Sequence, residues 1–377
     1  MTHAPALADQ PSLLAEIVSV LLFQAGYNTG VVLAGTAVLG AAAGLTGSLV
    51  VLRRRALMSD SISHSTLPGV GLGFLMGLAL FGQGRMLWTL MAGALVTSIL
   101  GVLSVQWIRD NTRLPEDAAI GTVLSVYYGF GIVLLSIIQS LDVDGKAGLN
   151  GFLLGSAASL RLGEAWFIAA VSLAVAGLTL ALRKEFALLC FDRDFAASDG
   201  WPVRMLDLAL MGLLLVIVSV GLKTVGMVLI IAIVIIPAVA ARFWTDRIGP
   251  MMGIAAGIGG ASAGIGVALS AVLPDLPTGA VIVLTAGGAF LASLMLGSAN
   301  GLAVTSLRRG LWRYRIWECR ALEQARAGTG PRSALLRLLG HVGRDGRLTP
   351  RGERLADAHL CREVAPHRAG PIRGRQP

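Results

Sequence analysis

Asp60 and His64 lie in an apolar stretch of the chain, four residues apart. On a helix this spacing puts both side chains on one face, where a carboxylate oxygen and an imidazole nitrogen can hold one cation. The imidazole nitrogen favours Mn, Fe or Zn over Mg or Ca. Ionisable side chains within an apolar segment are costly and by default mark the path of an ion or a substrate. Asp60 and His64 are therefore candidate ligands for a divalent transition metal.

A structural interpretation of the same two residues stays open. An acid such as Asp60 near the start of a helix complements the helix dipole, and His64 can bond a neighbouring carbonyl. No cysteine falls within the predicted membrane segments, so the candidate site offers oxygen and nitrogen but no thiolate, which serves Mn or Fe at least as well as Zn. In the other direction, an isolated Asp/His site binds Zn more tightly than Mn. The residue types alone leave the metal open.

The elements that position these residues must be membrane helices. The 377-residue chain is 55% hydrophobic and 14% charged, with a mean hydropathy of +0.73, which leaves too little polar surface for a soluble globule. Its 48 glycines suit helices that approach closely through small residues. We expect an all-α integral membrane protein, a polytopic bundle of eight to ten transmembrane helices.

Apolar segments long enough for the ~20 residues that cross a bilayer recur along the chain. They lie near residues 31–52, 58–80, 86–108, 117–139, 162–182, 203–222, 224–244, 250–272 and 278–299. The shorter stretch 13–23 either lies at the membrane interface or adds a further span.

Four helix-breaking residues fall inside these apolar runs: Pro68, Gly69, Gly226 and Pro237. Broken helices are tolerated in membranes only where the freed backbone groups face protein or a wet cavity. We therefore predict helix breaks that line a transport path at these positions.

The net charge of +9 is located in the C-terminal tail. Residues 308–377 contain sixteen arginines and six acidic residues, which leaves 15 basic and 16 acidic residues in 1–307. We therefore divide the chain into a transmembrane domain, 1–307, and a basic tail, 308–377. Arginine and lysine favour the cytoplasmic side of short loops. Placing Arg53–Arg55 on that side puts eleven basic residues of the membrane domain there, together with the tail.

The stretch VVLRRRALMSDSISHSTLPG, residues 50–69, closely resembles the signature of the permease subunits of zinc, manganese and iron uptake systems of the ABC transporter superfamily. The family pattern reads roughly V-L-R-R-x-A-L-M-G-D-A-I-S-H-x-x-L-P-G, and Ser59 stands where the family usually has glycine. Three later stretches agree in order, at 116–121, 225–242 and 276–279. The likeness runs from about residue 30 to residue 300.

This resemblance implies metal import across a bacterial inner membrane. An extracytoplasmic metal-binding protein delivers the ion, two permease copies, identical or paralogous, form the path, and cytoplasmic ABC ATPases drive alternating access. The chain is then a transport subunit and not an enzyme, with the metal ion as its cargo and no permanently bound cofactor. Asp60 and His64 are the pathway ligands by this resemblance. Asp117 is a weaker candidate, because an acid at a helix N-terminus serves the dipole equally well.

The ATPase must be a separate polypeptide, because none of the three lysines completes the G-x-x-x-x-G-K-[ST] phosphate-binding motif. The permease must then offer it a cytoplasmic docking element. The inside loop 183–204 mixes charged and aromatic residues, which suits a short coupling helix. It resembles the family's D-x-x-x-A…G-x-P-V coupling segment. The matching residues are Asp192, Ala196, Gly200, Pro202 and Val203.

The basic tail begins with an amphipathic stretch, 308–318, whose aromatics and arginines suit the anionic lipids of the inner leaflet. Further on, 335–339 and 346–356 are similar to the helix and wing of winged-helix modules, which some manganese or iron permeases carry. This similarity favours manganese or iron as the cargo. Nucleic-acid binding would need a complete fold with a recognition helix, so we expect a regulatory or ATPase-contacting role instead.

Two other classes of protein fit parts of the pattern. An ion-coupled secondary transporter for metals also uses intramembrane carboxylates and broken helices, but needs no coupling loop. A membrane-bound metal enzyme would need more ligands and a general base, and His64 is the only histidine in the predicted spans. The ATP-driven importer remains the favoured function.

Overall fold

The computed structural model describes residues 27–82, 84, 86–141, 162–273, 276–310 and 349–356, together with isolated positions between 16 and 22 and at 312, 313, 322 and 341. These residues form helices and their connections, without a strand. The chain divides into two compact units, Met1–Gly301 and Leu302–Pro377.

The first unit is a bundle of helices, which we number along the chain. They are α1 (Tyr27–Leu52), α2 (Ala56–Phe81), α3 (Leu87–Asn111), α4 (Glu116–Ser140), α5 (Leu162–Ala181), α6 (Arg183–Phe191), α7 (Arg193–Ser198), α8 (Val203–Val225), α9 (Met227–Arg242), α10 (Ile248–Val272) and α11 (Thr278–Leu296).

Eight of the described helices are long and apolar enough to cross a membrane, namely α1 to α5, α8, α10 and α11. The apolar part of α9, Leu229–Arg242, is shorter. The predicted all-α polytopic membrane fold and its eight to ten spans are therefore confirmed. The predicted span 224–244 is realised as the 16-residue helix α9.

Helix interruption occurs at only one of the predicted positions in the described chain. Gly226 has φ 95° and ψ 166°, which ends α8 and starts α9, and this left-handed φ suits glycine. The predictions of breaks at Pro68-Gly69 and at Pro237 are wrong, because α2 and α9 run through these prolines. A proline removes one backbone hydrogen bond, and membrane helices tolerate this loss when neighbouring groups compensate for it.

Helix α8 lies centrally and contacts α1, α2, α3, α5 and α9. Helix α1 packs on α5, α9 and α10, while α2 packs on α3 and α4. Glycines make the closest crossings. The carbonyl oxygens of Gly40 on α1 and Gly259 on α10 leave no room for a Cβ on the facing glycine, and Gly69 and Gly93 are related in the same way between α2 and α3. Small residues thus provide the helix contacts that lipid does not drive.

The second unit is described only in part. Residues 302–310 are helical, and a short helix, α12, covers Pro350–Ala356. The backbone N–H of Thr349 donates to the carbonyl oxygen of His341 at 3.0 Å. The predicted winged-helix-like stretches 335–339 and 346–348, and most of the basic stretch 308–318, lie outside the described residues.

The α1–α10 crossing leads to a stability prediction for Gly259→Ala. The added Cβ overlaps the carbonyl oxygen of Gly40, and overpacking of this kind costs about 1–3 kcal/mol. We expect a lower midpoint of thermal unfolding for the detergent-solubilised variant. Gly257→Ala is the matched control, because a Cβ at Gly257 on the same helix meets no atom within 4 Å. Equal midpoints for the two variants would contradict this packing.

Candidate metal site

Asp60 and His64 meet on the first half of α2. Their four-residue spacing on a regular helix brings His64 Nε2 within 3.3 Å of Asp60 Oδ1. The side chain of His64 is 18% exposed and that of Asp60 is 38% exposed. The pair is therefore partly buried, and its carboxylate end is open.

The imidazole of His64 is held on one side by an aromatic ring from α4. The edge of one ring meets the face of the other, because the His64 and Tyr128 rings lie 5.0 Å apart between centroids at 86°. The second imidazole nitrogen, Nδ1, is buried and makes no hydrogen bond in the described structure. A buried polar atom without a partner is costly. The Nδ1 atom is therefore available to form a hydrogen bond or to bind a ligand.

Three serines on the same part of α2 share this property. The hydroxyl oxygens of Ser61, Ser63 and Ser65 are buried and have no hydrogen-bond partner among the described residues. Most buried side-chain polar atoms in proteins are hydrogen-bonded. The concentration of unsatisfied groups around His64 distinguishes this stretch from the apolar helix that follows it.

Pro68 contributes to this polar environment although it does not break α2. In a regular helix the N–H of residue 68 would donate to the carbonyl oxygen of His64, but proline has no N–H. The His64 carbonyl therefore lacks its usual helical donor. Asp60, His64 and Pro68 are spaced by four residues, so they follow one face of α2.

Among the described residues Asp117 forms no group with Asp60 and His64 that could hold a metal ion. Asp117 is exposed in the first turn of α4, and Tyr128, which contacts His64, is eleven residues further along. At 1.5 Å per residue this separation is about 16 Å along the helix. Within the described residues no group of three His, Cys, Asp or Glu side chains could hold a metal ion.

A buried ion-pair network lies at the end of the bundle where α1 meets α2. We call it the Asp207 network, and it comprises Arg53, Arg55, Arg109, Glu116 and Asp207. Arg55 Nη1 lies 2.5 Å from Asp207 Oδ2, and Arg55 Nε lies 2.7 Å from Glu116 Oε1. Arg53 Nε is 3.5 Å and Arg109 Nη1 is 3.7 Å from the Asp207 carboxylate. Burying these charges is tolerable because each sign is compensated by the other.

The sequence contained a signal for this network that was missed. Asp207 falls inside the predicted span 203–222, and an ionisable residue at such a position indicates a functional or paired group. Its arginine partners lie far away in the sequence, at positions interpreted only as cytoplasmic charges. Tyr128 was also missed, since nothing in the sequence indicates which aromatic residue faces His64.

The predicted coupling segment forms two short helices, α6 and α7, whose motif residues shape the backbone. The carboxylate of Asp192 accepts hydrogen bonds from the backbone N–H groups of Asp194 and Phe195, which caps α7. Ala196 is fully buried. Gly200 has φ 84°, a left-handed conformation that favours glycine, and Pro202 directly precedes α8.

Helix α6 packs firmly against α1. Phe186 and Leu189 are fully buried, and the Cys190 thiol lies 3.7 Å from the carbonyl oxygen of Leu49. Burial raises the pKa of Cys190 to about 11, so the thiol stays neutral and unreactive near pH 7. The segment also exposes two aromatic side chains, with Phe191 and Phe195 exposed by 76% and 56%.

A polytopic bundle of apolar helices with an ionisable pair inside one span is typical of membrane transport proteins. The ABC 3 transport family matches residues 27–297. This match covers more than half of the chain, and the chain belongs to the ABC 3 transport family.

Individual relatives agree with this assignment. The chain is 41% identical over 281 residues to the manganese transport system membrane protein MntC of Bacillus subtilis (strain 168), covering 74% of this chain and 63% of that protein. It is 39% identical over 283 residues to the zinc transport system membrane protein TroC of Treponema pallidum (strain Nichols), covering 75% of this chain and 93% of that protein. The chain thus spans less than two thirds of the length of the first relative and most of the second.

A solved structure has the same architecture. PsaBC from Streptococcus pneumoniae in complex with Fab matches with a TM-score of 0.64 at 27% sequence identity, covering 76% of this chain and 97% of that chain. Family membership confirms the resemblance drawn from residues 50–69. It also confirms that the chain is a transport subunit and not itself an enzyme, and that it is a multi-pass protein of the inner membrane.

Proposed function

We propose that the chain is the membrane-spanning permease of an ATP-driven importer of divalent transition-metal ions, in which Asp60 and His64 hold the ion on its path. The observation that carries this proposal is the 3.3 Å separation of the Asp60 and His64 donor atoms inside an apolar helix. An intramembrane carboxylate next to the only histidine of the described spans is costly unless it serves a function.

The spacing of the two donor atoms suits one metal ion. If one ion bound both atoms with metal–ligand bonds of about 2.1 Å, the angle between the two bonds at the ion would be roughly 100°. This value lies between the ideal angles of octahedral and tetrahedral sites. The pair can therefore hold Mn or Zn without a large rearrangement of α2.

Two ligands leave the coordination of such an ion incomplete, and this suits cargo. The open side of Asp60 gives access to water and to groups from outside the chain, for which we propose a second permease copy, identical or paralogous. The His64 carbonyl freed by Pro68 offers a further oxygen one turn along the helix. Conduction requires binding strong enough for entry and weak enough for exit, which an incomplete ligand set provides.

Transport energy must come from a partner, since the chain lacks a phosphate-binding loop. We propose that a cytoplasmic ABC ATPase docks on the α6–α7 segment, where Phe191, Phe195 and Trp201 are exposed. Exposed aromatic residues of this kind are common interface anchors. An extracytoplasmic metal-binding protein would deliver the ion. Membership of the ABC 3 transport family favours this ATP-driven scheme over the ion-coupled secondary transporter.

The cargo we favour is manganese, with zinc as the alternative. One relative is named as a manganese system and the other as a zinc system. An oxygen and nitrogen ligand set without thiolate gives the softer ions little advantage. Iron, which the residue types also allow, remains a prediction from the sequence.

The metal-ligand role of the pair predicts that Asp60→Asn and His64→Gln each lose metal uptake. Removing one of two protein ligands should lower the initial rate of ⁵⁴Mn or ⁶⁵Zn uptake tenfold or more, given that even outer-shell changes at metal sites cost about 10–100-fold. Cells or proteoliposomes with matched amounts of inserted protein give the measurement.

Asp117→Asn serves as the control, because Asp117 is an exposed acid about 16 Å along α4 from the residue that contacts His64. We expect uptake by this variant to stay near that of the wild type. Wild-type uptake by both Asp60→Asn and His64→Gln would rule out the ligand role. Loss of uptake in Asp117→Asn alone would move the site to α4.

ATPase docking on the α6–α7 segment predicts that Phe195→Ser weakens the complex. Loss of an aromatic anchor at an interface should lower the ATPase recovered by co-purification about tenfold or more. Leu173→Ala is the control, because it removes a similarly exposed apolar side chain from α5. Gly200→Trp, which forces a bulky residue into a left-handed turn, should act in the same direction. Unchanged recovery for both segment variants would place the ATPase elsewhere.

The choice of cargo predicts the outcome of deleting the permease. Cells without it should lose manganese, by elemental analysis, and recover growth when manganese is added. Re-expression of the wild-type chain should restore both, while the Asp60→Asn variant should restore neither. Rescue by zinc alone, with unchanged cellular manganese, would identify a zinc importer.

A further inference from the structure

The turn between α1 and α2 is tight and strained. The N–H of Arg55 donates to the carbonyl of Val50, and the N–H of Arg54 donates to that of Val51, both at 3.0 Å. This pattern is a Schellman turn, in which the left-handed position normally holds glycine. Here it holds Arg54, with φ 59°, the only non-glycine residue with positive φ in the described chain. Strain of this kind persists only where surrounding contacts hold it.

The contacts that hold the turn are those of its two other arginines. Arg53 and Arg55 both point at the Asp207 carboxylate on α8, and within the described residues Asp207 is the only fully buried acid. The third arginine, Arg54, is exposed and has no ion pair among the described side chains. The turn thus fixes the start of α2 to α8.

Arg53 also connects the turn to the coupling segment. Its Nη1 donates to the carbonyl oxygen of Leu189 on α6 at 3.1 Å, while its Nε lies 3.5 Å from Asp207 Oδ1. Leu189 itself is fully buried. Among the members of the Asp207 network, Arg53 is the side chain for which the structure gives a hydrogen bond to α6.

The other end of this connection reaches the metal pair. Helix α2 begins directly after Arg55 and is unbroken through Asp60 and His64. Asp60 lies five residues beyond Arg55, about 7.5 Å along the axis. Pro68 comes only after His64, so no proline softens the helix between the turn and the pair. A displacement of the turn therefore moves both metal ligands.

We propose that Arg53 is a positioning residue for transport, which joins the α6–α7 segment to the start of α2 and so transmits movement of the segment to Asp60 and His64. This inference rests on the proposed function, in which the ATPase contacts the α6–α7 segment and the metal binds Asp60 and His64. The described partners of Arg53 are Leu189 and Asp207, so we assign it contact with neither the metal nor the ATPase. Its role is to make the α6–α7 segment and the start of α2 move together.

The charges of the network indicate which variant isolates this role. Arg53→Met leaves the buried Asp207 carboxylate ion-paired with Arg55 and within 3.7 Å of Arg109, so it does not strand a buried charge. Asp207→Asn would instead remove the carboxylate that Arg53 and Arg55 share and would test folding rather than coupling. Arg54→Gly is the matched control, since it removes an arginine from the same turn and gives the left-handed position its preferred residue.

The test uses the complete transporter of permease, ATPase and metal-binding protein in proteoliposomes, with Mn²⁺ as the probe. Metal uptake and ATP hydrolysis are measured together, and metal bound to the purified permease is measured separately. For Arg53→Met we expect unchanged metal binding and ATPase association, and about fivefold or more fewer ions transported per ATP hydrolysed, the size of a typical coupling between sites. Arg54→Gly should keep the wild-type ratio.

A wild-type ratio in Arg53→Met would overturn the inference, and so would a parallel loss of uptake and hydrolysis, which indicates a structural role only. If Arg53→Met does not assemble, Arg53→Lys decides, because a lysine keeps the charge near Asp207 but lacks the fork that reaches Leu189 at the same time. A lowered ratio in Arg53→Lys supports the inference, and a wild-type ratio overturns it. Absence of ATP-dependent uptake by the wild type would instead refute the proposed function.

Discussion

Burial of the Asp207 carboxylate is the constraint on which the arrangement of the helix ends depends. Burying an unpaired carboxylate would cost several kcal/mol of folding free energy. The fold must therefore surround Asp207 with positive charge. The arginines come from the α1–α2 turn and from the end of α3, and the start of α4 adds Glu116 to balance them. Four helices are thereby brought to one point on α8. Apolar packing in lipid could not select that point by itself, because lipid tails compete equally well for apolar side chains.

The height of the Asp60–His64 pair follows from this constraint. Once the start of α2 is fixed, the regular rise of the helix places Asp60 and His64 at set distances above it. The glycine contact between Gly69 and Gly93 then fixes the rotation of α2 against α3. This contact buries one face of α2, and the face that carries Asp60 and His64 remains partly exposed. Electrostatics thus determines the depth of the candidate site, and close packing determines the direction in which it faces.

The apolar spans and the Asp60–His64 pairing were predictable because both depend on local spacing: span length follows from hydropathy, and side chains four residues apart share a helix face. The helix break at Gly226 was predictable from the residue type, because glycine readily adopts a left-handed φ such as the 95° found there. The breaks expected at Pro68 and Pro237 did not form, because one missing hydrogen bond is too small a loss to end a packed helix. The Asp207 network was not foreseen, as its partners are 152 residues apart between Arg55 and Asp207. Charge pairing over such a distance leaves no periodic signal.

Helix α9 has a consequence for the membrane around the protein. Its 16 residues extend about 24 Å, less than the hydrocarbon thickness of about 30 Å. Such a mismatch would normally thin the adjacent lipid. However, α9 packs against α1, α2, α8, α10 and α11, so protein as well as lipid surrounds it. The mismatch is therefore met by the neighbouring helices of the bundle and need not thin the lipid around the protein.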